Sequence, residues 1–412
     1  MNTLDVNFVR KQFPVFDTDL GKKIAFFDNG GGSYVAGTVI KRLTDFYVNY
    51  KVQPYGATAI GKLAGQAMDE GRSSMAELLN VPIEELTIGA STTQNLNTLS
   101  IACASLVQAR SEVIVTEQDH EANIGGWERM CRAQGAQLTI WKVDPTTGEL
   151  DLNQLEDLIS DRTAIVSVTQ SSNIIGSINP INEIAKIVHR HNARLVVDAV
   201  AYVPHEWPNL DELDADAYVF SSYKTYGTHQ GIMVVRPAFL AELDKQCHYF
   251  NEKYKIKWLD SSGPNHASIA ALGGIADYFS ALHEHHFGAE DLPLYSKARD
   301  MALLMHQHEQ GLCQTLLDCV NELPVKIYGK DHMNNREANV ALRSNQLSSV
   351  SMMQSLGDED IAVKQGTFYA YRLLQSMGIE NLDDGVLRIS LSHYNTMEEI
   401  QRCCDVLRIL HK

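Results

Sequence analysis

The sequence predicts an α/β protein: a mainly parallel sheet covered by helices, followed by a smaller α+β lobe. Three observations carry this. From about residue 24 to residue 235, short apolar runs alternate with helical stretches, the rhythm of a parallel sheet with crossover helices. The runs are β-branched and almost unbroken, as strands covered on both faces require. Beyond about residue 245 the rhythm gives way to long helical patterns, then short strands and a closing helix.

In chain order the runs are IAFFD (24–28), ELTIG (85–89), EVIVTE (112–117), LTIWKV (138–143), TAIVSVTQ (163–170), RLVVD (194–198), AYVFSS (217–222) and GIMVVR (231–236). Between them lie amphipathic stretches such as Ile181–His191, opened by Asn179-Pro180. In the second part, HASIAALGGIADYFSALHEH and YSKARDMALLMHQHEQGL read as long helices. PVKIYG, NVALRS and GVLRISLS read as strands, and Met397–Leu410 as the last helix. The expected division is an N-terminal segment 1–25 joining the small lobe, a large α/β domain 26–265, and a helical connection with a small α+β domain over 266–412. No repeat or low-complexity linker interrupts the chain, so the lobes are expected to pack closely.

A chain of 412 residues fits two or three lobes. Its composition, 44% hydrophobic and 21% charged, excludes disordered, collagen-like and disulfide-scaffold readings. The balance of 35 Lys+Arg against 51 Asp+Glu gives a net charge of −16, which repels phosphate backbones and anionic lipid. Nucleic acid and membrane are therefore not expected partners. The opening MNTLDVNFVRKQFPVF has no apolar signal core, and no apolar run approaches the ~18 residues that span a bilayer. The seven cysteines are scattered without CxxC or Cys/His ligand spacing, so neither a disulfide framework nor a metal site is expected. A cytoplasmic location with reduced thiols follows.

Five runs end in concentrated polar chemistry. In an open parallel sheet, ligands bind beyond the carboxyl ends of the strands. Gly89-Ala90-Ser91-Thr92-Thr93-Gln94-Asn95 opens a helix, whose orphan N–H groups and hydroxyls at Thr92 and Thr93 suit a phosphate. Taken alone it is an ordinary Ser/Thr cap. Asp119 and His120 follow Val115, and Gln170, Ser171, Ser172 and Asn173 follow Val168. Asp198 ends an apolar strand, where an unpaired charge is costly and a cationic partner such as a protonated ring nitrogen is wanted. A helix cap or buried salt bridge would serve equally. Lys224 follows a buried strand in FSSYKTYG; such a lysine is a surface residue by default, but desolvated beside a cofactor it becomes a low-pKa amine. His120 is a solvent-facing cap by default, and beside a ring it can stack and shuttle protons. Phosphate anchor, Asp, His and Lys together suit pyridoxal 5'-phosphate.

The order of these motifs resembles the class V (fold-type I) aminotransferase family, which holds cysteine desulfurases, selenocysteine and cystine lyases and isopenicillin N epimerase. The resemblance runs from Phe26 to about residue 405. FFDNGGG resembles the family's N-terminal segment, GASTTQNLN its phosphate turn, and EQDHEAN its E-H-x-A-N stretch. SSNIIGSINPI, LVVDAV, FSSYKTYG and GVLRISLSHYNTMEEI are similar to further family motifs. The resemblance implies Thr93, with Thr92 beside it, and Ser221 as phosphate ligands, and His120 stacked on the pyridoxal ring. It implies Asn173 near the ring hydroxyl and substrate carboxylate, Asp198 paired with the ring nitrogen, Lys224 as the Schiff-base lysine and Arg388 on the substrate α-carboxylate. It also implies a homodimer, with the loop Asp260–His266 contributing a phosphate contact, through Ser262, to the neighbouring subunit.

Departures from the family pattern shape the function expected. Desulfurases carry a nucleophilic Cys in a loop that corresponds here to Val363–Ala370, where Tyr369 stands in its place. Cys403 and Cys404 lie on the apolar stripe of the last helix, a packing position. Ala201 replaces a Gln expected at the ring hydroxyl, and Tyr223 a His at the phosphate end, where its hydroxyl can substitute. The reading is a pyridoxal-phosphate enzyme acting on a small amino acid, by C–S lyase (β-elimination) chemistry that needs no persulfide Cys. Lys224 forms the cofactor link and takes the α-proton, with acid/base help from His120. Aminotransferase or epimerase/racemase chemistry uses the same residues. A catalytically silent cofactor-binding protein is the alternative from another class; a dinucleotide-dependent oxidoreductase lacks its GxGxxG.

Overall fold

A computed structural model of the chain describes residues 3–412. The strands are β1 (Ala25–Phe26), β2 (Leu86–Gly89), β3 (Glu112–Thr116), β4 (Gln137–Trp141), β5 (Thr163–Thr169), β6 (Arg194–Asp198), β7 (Ala217–Ser221) and β8 (Gly231–Val235). They continue with β9 (Val325–Tyr328), β10 (Asn339–Ser344), β11 (Ile361–Ala362), β12 (Lys364–Gly366) and β13 (Val386–Ser390). A seven-stranded sheet has the order β2-β8-β7-β6-β5-β3-β4, in which only β8 runs against the rest. β3, β5, β7 and β8 are buried at every position and β6 at every position but Arg194, which is why their apolar runs show no alternation. The second sheet is antiparallel, β12-β13-β10-β9.

The IAFFD run differs from its expected place. Its strand β1 joins no strand of the large sheet; it pairs in parallel with β11, Ala25 opposite Ile361. Ala25 and Phe27 are buried in a cluster with Leu317, Val340, Ile389 and Leu407 of the C-terminal part. Such long-range pairing is invisible in the local period. Cys403 and Cys404 are buried in the same cluster, as their stripe position implies.

The helix His266–Phe287 packs against Gly37–Asn49 and Ala59–Leu78 at close range. A Cβ at Gly71 would stand 2.1 Å from the Ile269 carbonyl oxygen, so glycine sets this crossing distance. Residues 29–30 and 390–394, far apart in the chain, are hydrogen-bonded together. Asn29 Nδ2 donates to the Ser390 carbonyl at 2.9 Å, the Gly30 N–H donates to Ser390 Oγ at 2.7 Å, and the Tyr394 hydroxyl donates to Asn29 Oδ1. Thr396 and Glu399 form a reciprocal capping box that starts the helix Met397–Leu410. Among the described residues no helix is long and apolar enough to cross a membrane, and no cluster of three or more His, Cys, Asp or Glu could hold a metal.

Candidate active site

The carboxyl ends of β2, β3, β5, β6 and β7 converge as the polar runs require. Thr92, Thr93, His120, Asn173, Asp198, Ser221, Tyr223 and Lys224 line one cavity of about 240 Å³. Thr169, Ser171, Val200, Ala201 and His229 complete most of its wall.

At the phosphate turn, Ser91 caps the helix Thr92–Ala102 by accepting the Gln94 N–H. The Thr92 hydroxyl donates to the Phe220 carbonyl at 2.7 Å and lies 2.7 Å from Ser221 Oγ, which bolts this turn to the end of β7. Thr93, next to it, is exposed. A Cβ at Gly231 would meet the Ser91 carbonyl carbon at 2.3 Å, so the turn sits where it does because β8 begins with glycine.

Asp119 is a structural residue. It is buried and accepts from the Thr116 hydroxyl at 2.6 Å, the Thr116 N–H at 3.2 Å and Asn123 Nδ2 at 2.9 Å. Burial pushes its carboxyl up to about 7 despite these donors. The turn presents His120, whose Nδ1 accepts the Ala122 N–H at 3.0 Å, leaving the ring proton to Nε2. Burial, then the charges of Lys224 and Arg388, push His120 down to about 4, so the ring is neutral near pH 7.

Asp198 ends β6 almost fully buried and accepts the Val200 N–H at 3.0 Å. Burial pushes its carboxyl up to about 6, against the pull of that N–H and of Lys224. Lys224 lies in the loop between β7 and β8 and is 8% exposed. Burial and Arg388 push its amine down to about 8, with Asp198 and Asp28 resisting. The Tyr223 ring stacks on His229 with centroids 4.6 Å apart, and the Ser33 N–H donates to the Tyr223 carbonyl at 3.1 Å.

Asn173 Nδ2 donates to the Phe368 carbonyl at 2.9 Å, while its buried Oδ1 has no partner. Arg388 is buried beside the cavity rather than in its wall. Its Nη1 donates to the Asn173 carbonyl at 3.1 Å and its Nη2 to Asp28 Oδ1 at 3.2 Å. Ser262 stands apart: it is exposed and lines a separate cavity with Gly89, Gln94 and His229, outside its own chain's site. Asp28, Phe368 and His229 escaped the sequence reading. Asp28 lies inside the quoted FFDNGGG motif, but its ion partner is 360 residues away.

The donor set fits pyridoxal phosphate. An orphaned acceptor at Asn173, a buried carboxylate at Asp198, a depressed amine at Lys224 and a hydroxyl-bearing helix N-terminus share one cavity.

Residues 25–403 match the family described as Aminotransferase class-V. The chain is 32% identical over 421 residues to the aminotransferase-like protein FGM3 of Gibberella zeae, covering 99% of both chains. It is 28% identical over 428 residues to a cysteine desulfurase of Escherichia coli O9:H4, covering 100% of this chain and 99% of that one. The fold is similar to the apo structure of a cysteine desulfurase from Thermococcus onnurineus, with a TM-score of 0.84, 22% identity and coverage of 100% and 99%.

Proposed function

This chain belongs to the class V aminotransferase family and is a pyridoxal-phosphate-dependent enzyme related to cysteine desulfurases; we propose that it is a carbon–sulfur lyase acting by β-elimination on a small sulfur-containing amino acid. The observation that carries this is the placement of Lys224, Asp198 and His120 around one cavity, with no cysteine among its lining residues. Six of the seven free cysteines are buried and Cys247 is half-buried, which favours elimination without an enzyme-bound persulfide.

Pyridoxal phosphate, when bound, supplies a carbonyl that condenses with amines and a ring that takes up the electron pair released at the amino acid's α-carbon. Lys224 Nζ, with its amine near 8, is partly unprotonated at neutral pH, so it serves as nucleophile and then as acceptor of the α-proton. Asp198 would hold a proton at the ring nitrogen. Asn173 Oδ1 would accept from the ring hydroxyl, while Thr93, Ser221 and the N–H groups opening the helix Thr92–Ala102 would hold the phosphate, with Tyr223 beside them. His120 would cover one ring face, and its Nε2–H would serve as a donor to the departing sulfur. Arg388 binds the α-carboxylate, which takes over the place of Asp28 on its guanidinium.

We read the assembly as a homodimer in a cytoplasmic setting. Tyr55, Tyr249 and Phe250 are 64%, 83% and 59% exposed. Tyr55 lines one cavity with His248, Ser262 and Gly263. An apolar face beside Ser262 supports its reaching a neighbour's phosphate. Seven free thiols suit a reducing compartment.

The test is the visible spectrum of purified protein supplied with pyridoxal phosphate and titrated with cysteine, cystine, alanine and serine. Elimination predicts a band at Lys224 that sulfur amino acids perturb, with release of pyruvate and sulfide or persulfide. Amino-group transfer without pyruvate release would replace the lyase reading with transamination, and inversion of alanine would replace it with epimerisation. A band that no amino acid perturbs would leave a silent cofactor binder.

A further inference from the structure

A second, smaller cavity of about 20 Å³ shares Lys224, Asn173 and Ala201 with the main one and continues past Pro204 to His205 and Glu337. That volume suits about one water-sized group. The walls are rich in acceptors that lack donors. Both carboxylate oxygens of Glu337 and the Oδ1 atoms of Asn339 and Asn173 have no hydrogen-bond partner, and Glu337 is only 1% exposed. The amide orientations are fixed by what their nitrogens do: Asn339 Nδ2 donates to the carbonyls of Asn173 and Ile174 at 3.1 Å, and Asn173 Nδ2 to Phe368. The adjacent Arg336 gives Glu337 no relief, because its Nη atoms donate to the carbonyls of Lys330 and Asn339.

His205 is held by Glu309, Nδ1 to Oε2 at 2.6 Å, with the glutamate 1% exposed. Burial lowers this imidazole, but Glu309 outweighs it, with help from Glu337 and Glu206, and His205 is pushed up to about 9. Lys224, near 8, therefore holds a proton about as tightly. Burial pushes Glu337 well up, opposed by His205 and reinforced by Glu206 and Glu309. His393, 3.9 Å from Glu309, is pushed far down and stays neutral. Glu206, 37% exposed, accepts the Tyr202 hydroxyl at 2.6 Å and lies 3.4 Å from His306.

We propose that His205 and Glu337 are positioning residues for Lys224, forming with the chamber the three share a single proton-exchange site. The step is a relay. The O–H of Glu337 breaks as a water in the chamber gains a proton, that water gives another to Lys224 Nζ, and a new N–H bond forms. The reverse returns the proton when Lys224 gives it up, His205 can stand in for Glu337, and no electrons change hands. The idea rests on Lys224 as the proton carrier of the reaction.

The test follows the ring titration of His205 by NMR in the cofactor-free full-length protein, with its resonance identified by its loss in H205Q. The shared site predicts coupled titration. In Lys224→Met, where a neighbouring cation is removed, the His205 midpoint rises by about one pH unit. In Glu337→Gln it falls, and Glu337→Asp, which keeps the acid, restores it. Midpoints that superimpose on wild type in both K224M and E337Q would overturn the proposal. A functional arm uses cofactor-loaded protein and alanine deuterated at its α-carbon: E337Q lowers label wash-out to solvent about tenfold while C–D cleavage is kept. Equal loss of both rates would mean a merely structural role. Failure of the functional reading shows differently, as a wild-type protein with no visible band at Lys224.

Discussion

The guanidinium carbon of Arg388 lies 3.8 Å over the ring of Phe368, while its Nη2 is paired with Asp28. One face of the fork is thus covered by an aromatic ring and one corner by a carboxylate, with Nε left unpartnered. A Cβ at Gly30 would stand 2.9 Å from the guanidinium carbon, so the glycine run after Asp28 is what admits this arrangement. In the proposed reaction the substrate carboxylate would replace this internal anion, Asp28, on the fork.

Asp28→Asn should therefore leave a buried cation short of its anion and lower stability by about 1–3 kcal/mol. Added amino acid should restore more of the melting temperature in this variant than in wild type, because its carboxylate fills the place left by Asp28. Thermal unfolding with and without alanine checks this; equal restoration in both proteins would argue against exchange at Arg388.

Arg388→Lys keeps the charge and loses the planar fork. The expected result is a rise in KM of about 10–100-fold, corresponding to one or two charge-assisted hydrogen bonds. The cofactor band should survive, since Arg388 lines no part of the main cavity. Steady-state kinetics beside an absorption spectrum separates the two effects.

Much of this site was legible in the sequence because its residues sit at strand ends. RLVVD becomes β6 with Asp198 at its last position, and FSSYKTYG ends β7 and carries Lys224 into the following loop. The strong local signal, an unbroken apolar run stopped by polar residues, survives folding since the apolar positions of those strands are all buried. Asp28, Phe368 and Glu337 were not legible: their roles come from Arg388, Asn173 and His205, residues far away in the chain. IAFFD likewise formed a strand as its residues dictate, but its partner, β11, is chosen by tertiary packing.

Acid titration should show Asp198 with a definite sign. Its folded value, about 6, lies above the ordinary 3.8, so burial stabilises the protonated form. The favourable contribution is present below about 4 and is lost as pH rises through about 6. In cofactor-free protein, Asp198→Asn should therefore raise stability at pH 7 relative to wild type, by on the order of 2 kcal/mol. The same variant should hold pyridoxal phosphate more weakly, as nothing then keeps the ring nitrogen protonated. Unfolding at pH 4 and pH 7 with cofactor titration checks both, and a loss of stability at pH 7 would contradict the sign.

Gly231→Ala tests how the phosphate turn is placed. The new Cβ would fall 2.3 Å from the Ser91 carbonyl carbon and 2.5 Å from the Thr92 nitrogen, both backbone atoms that cannot swing aside. The turn must shift, and Thr92 must loosen from Phe220 and Ser221. Cofactor affinity should drop about tenfold or more, from about 1.4 kcal/mol of lost contacts, while the circular dichroism of the sheet is retained. Unchanged affinity would mean that the phosphate is held elsewhere.

The loop over the site stores strain that can be released selectively. Phe368 and Tyr369 have φ values of 49° and 61°, a left-handed pair of bulky residues that is costly without compensation. The compensation differs between them. The Phe368 ring covers Arg388 and its carbonyl accepts Asn173 Nδ2, whereas Tyr369 is 67% exposed and touches the site through its ring, 5.1 Å from that of His120. Tyr369→Gly should thus gain up to about 1 kcal/mol of stability, since glycine adopts this backbone freely. Phe368→Gly relieves the same strain but uncovers a buried guanidinium, so it should lose stability despite the better backbone. The opposite signs, measured by denaturant unfolding, separate strain from packing. A second readout follows the ligand: Tyr369→Gly should leave the cofactor band in place and shift its response to added amino acid, because His120 then loses its neighbour on the open side of the cavity.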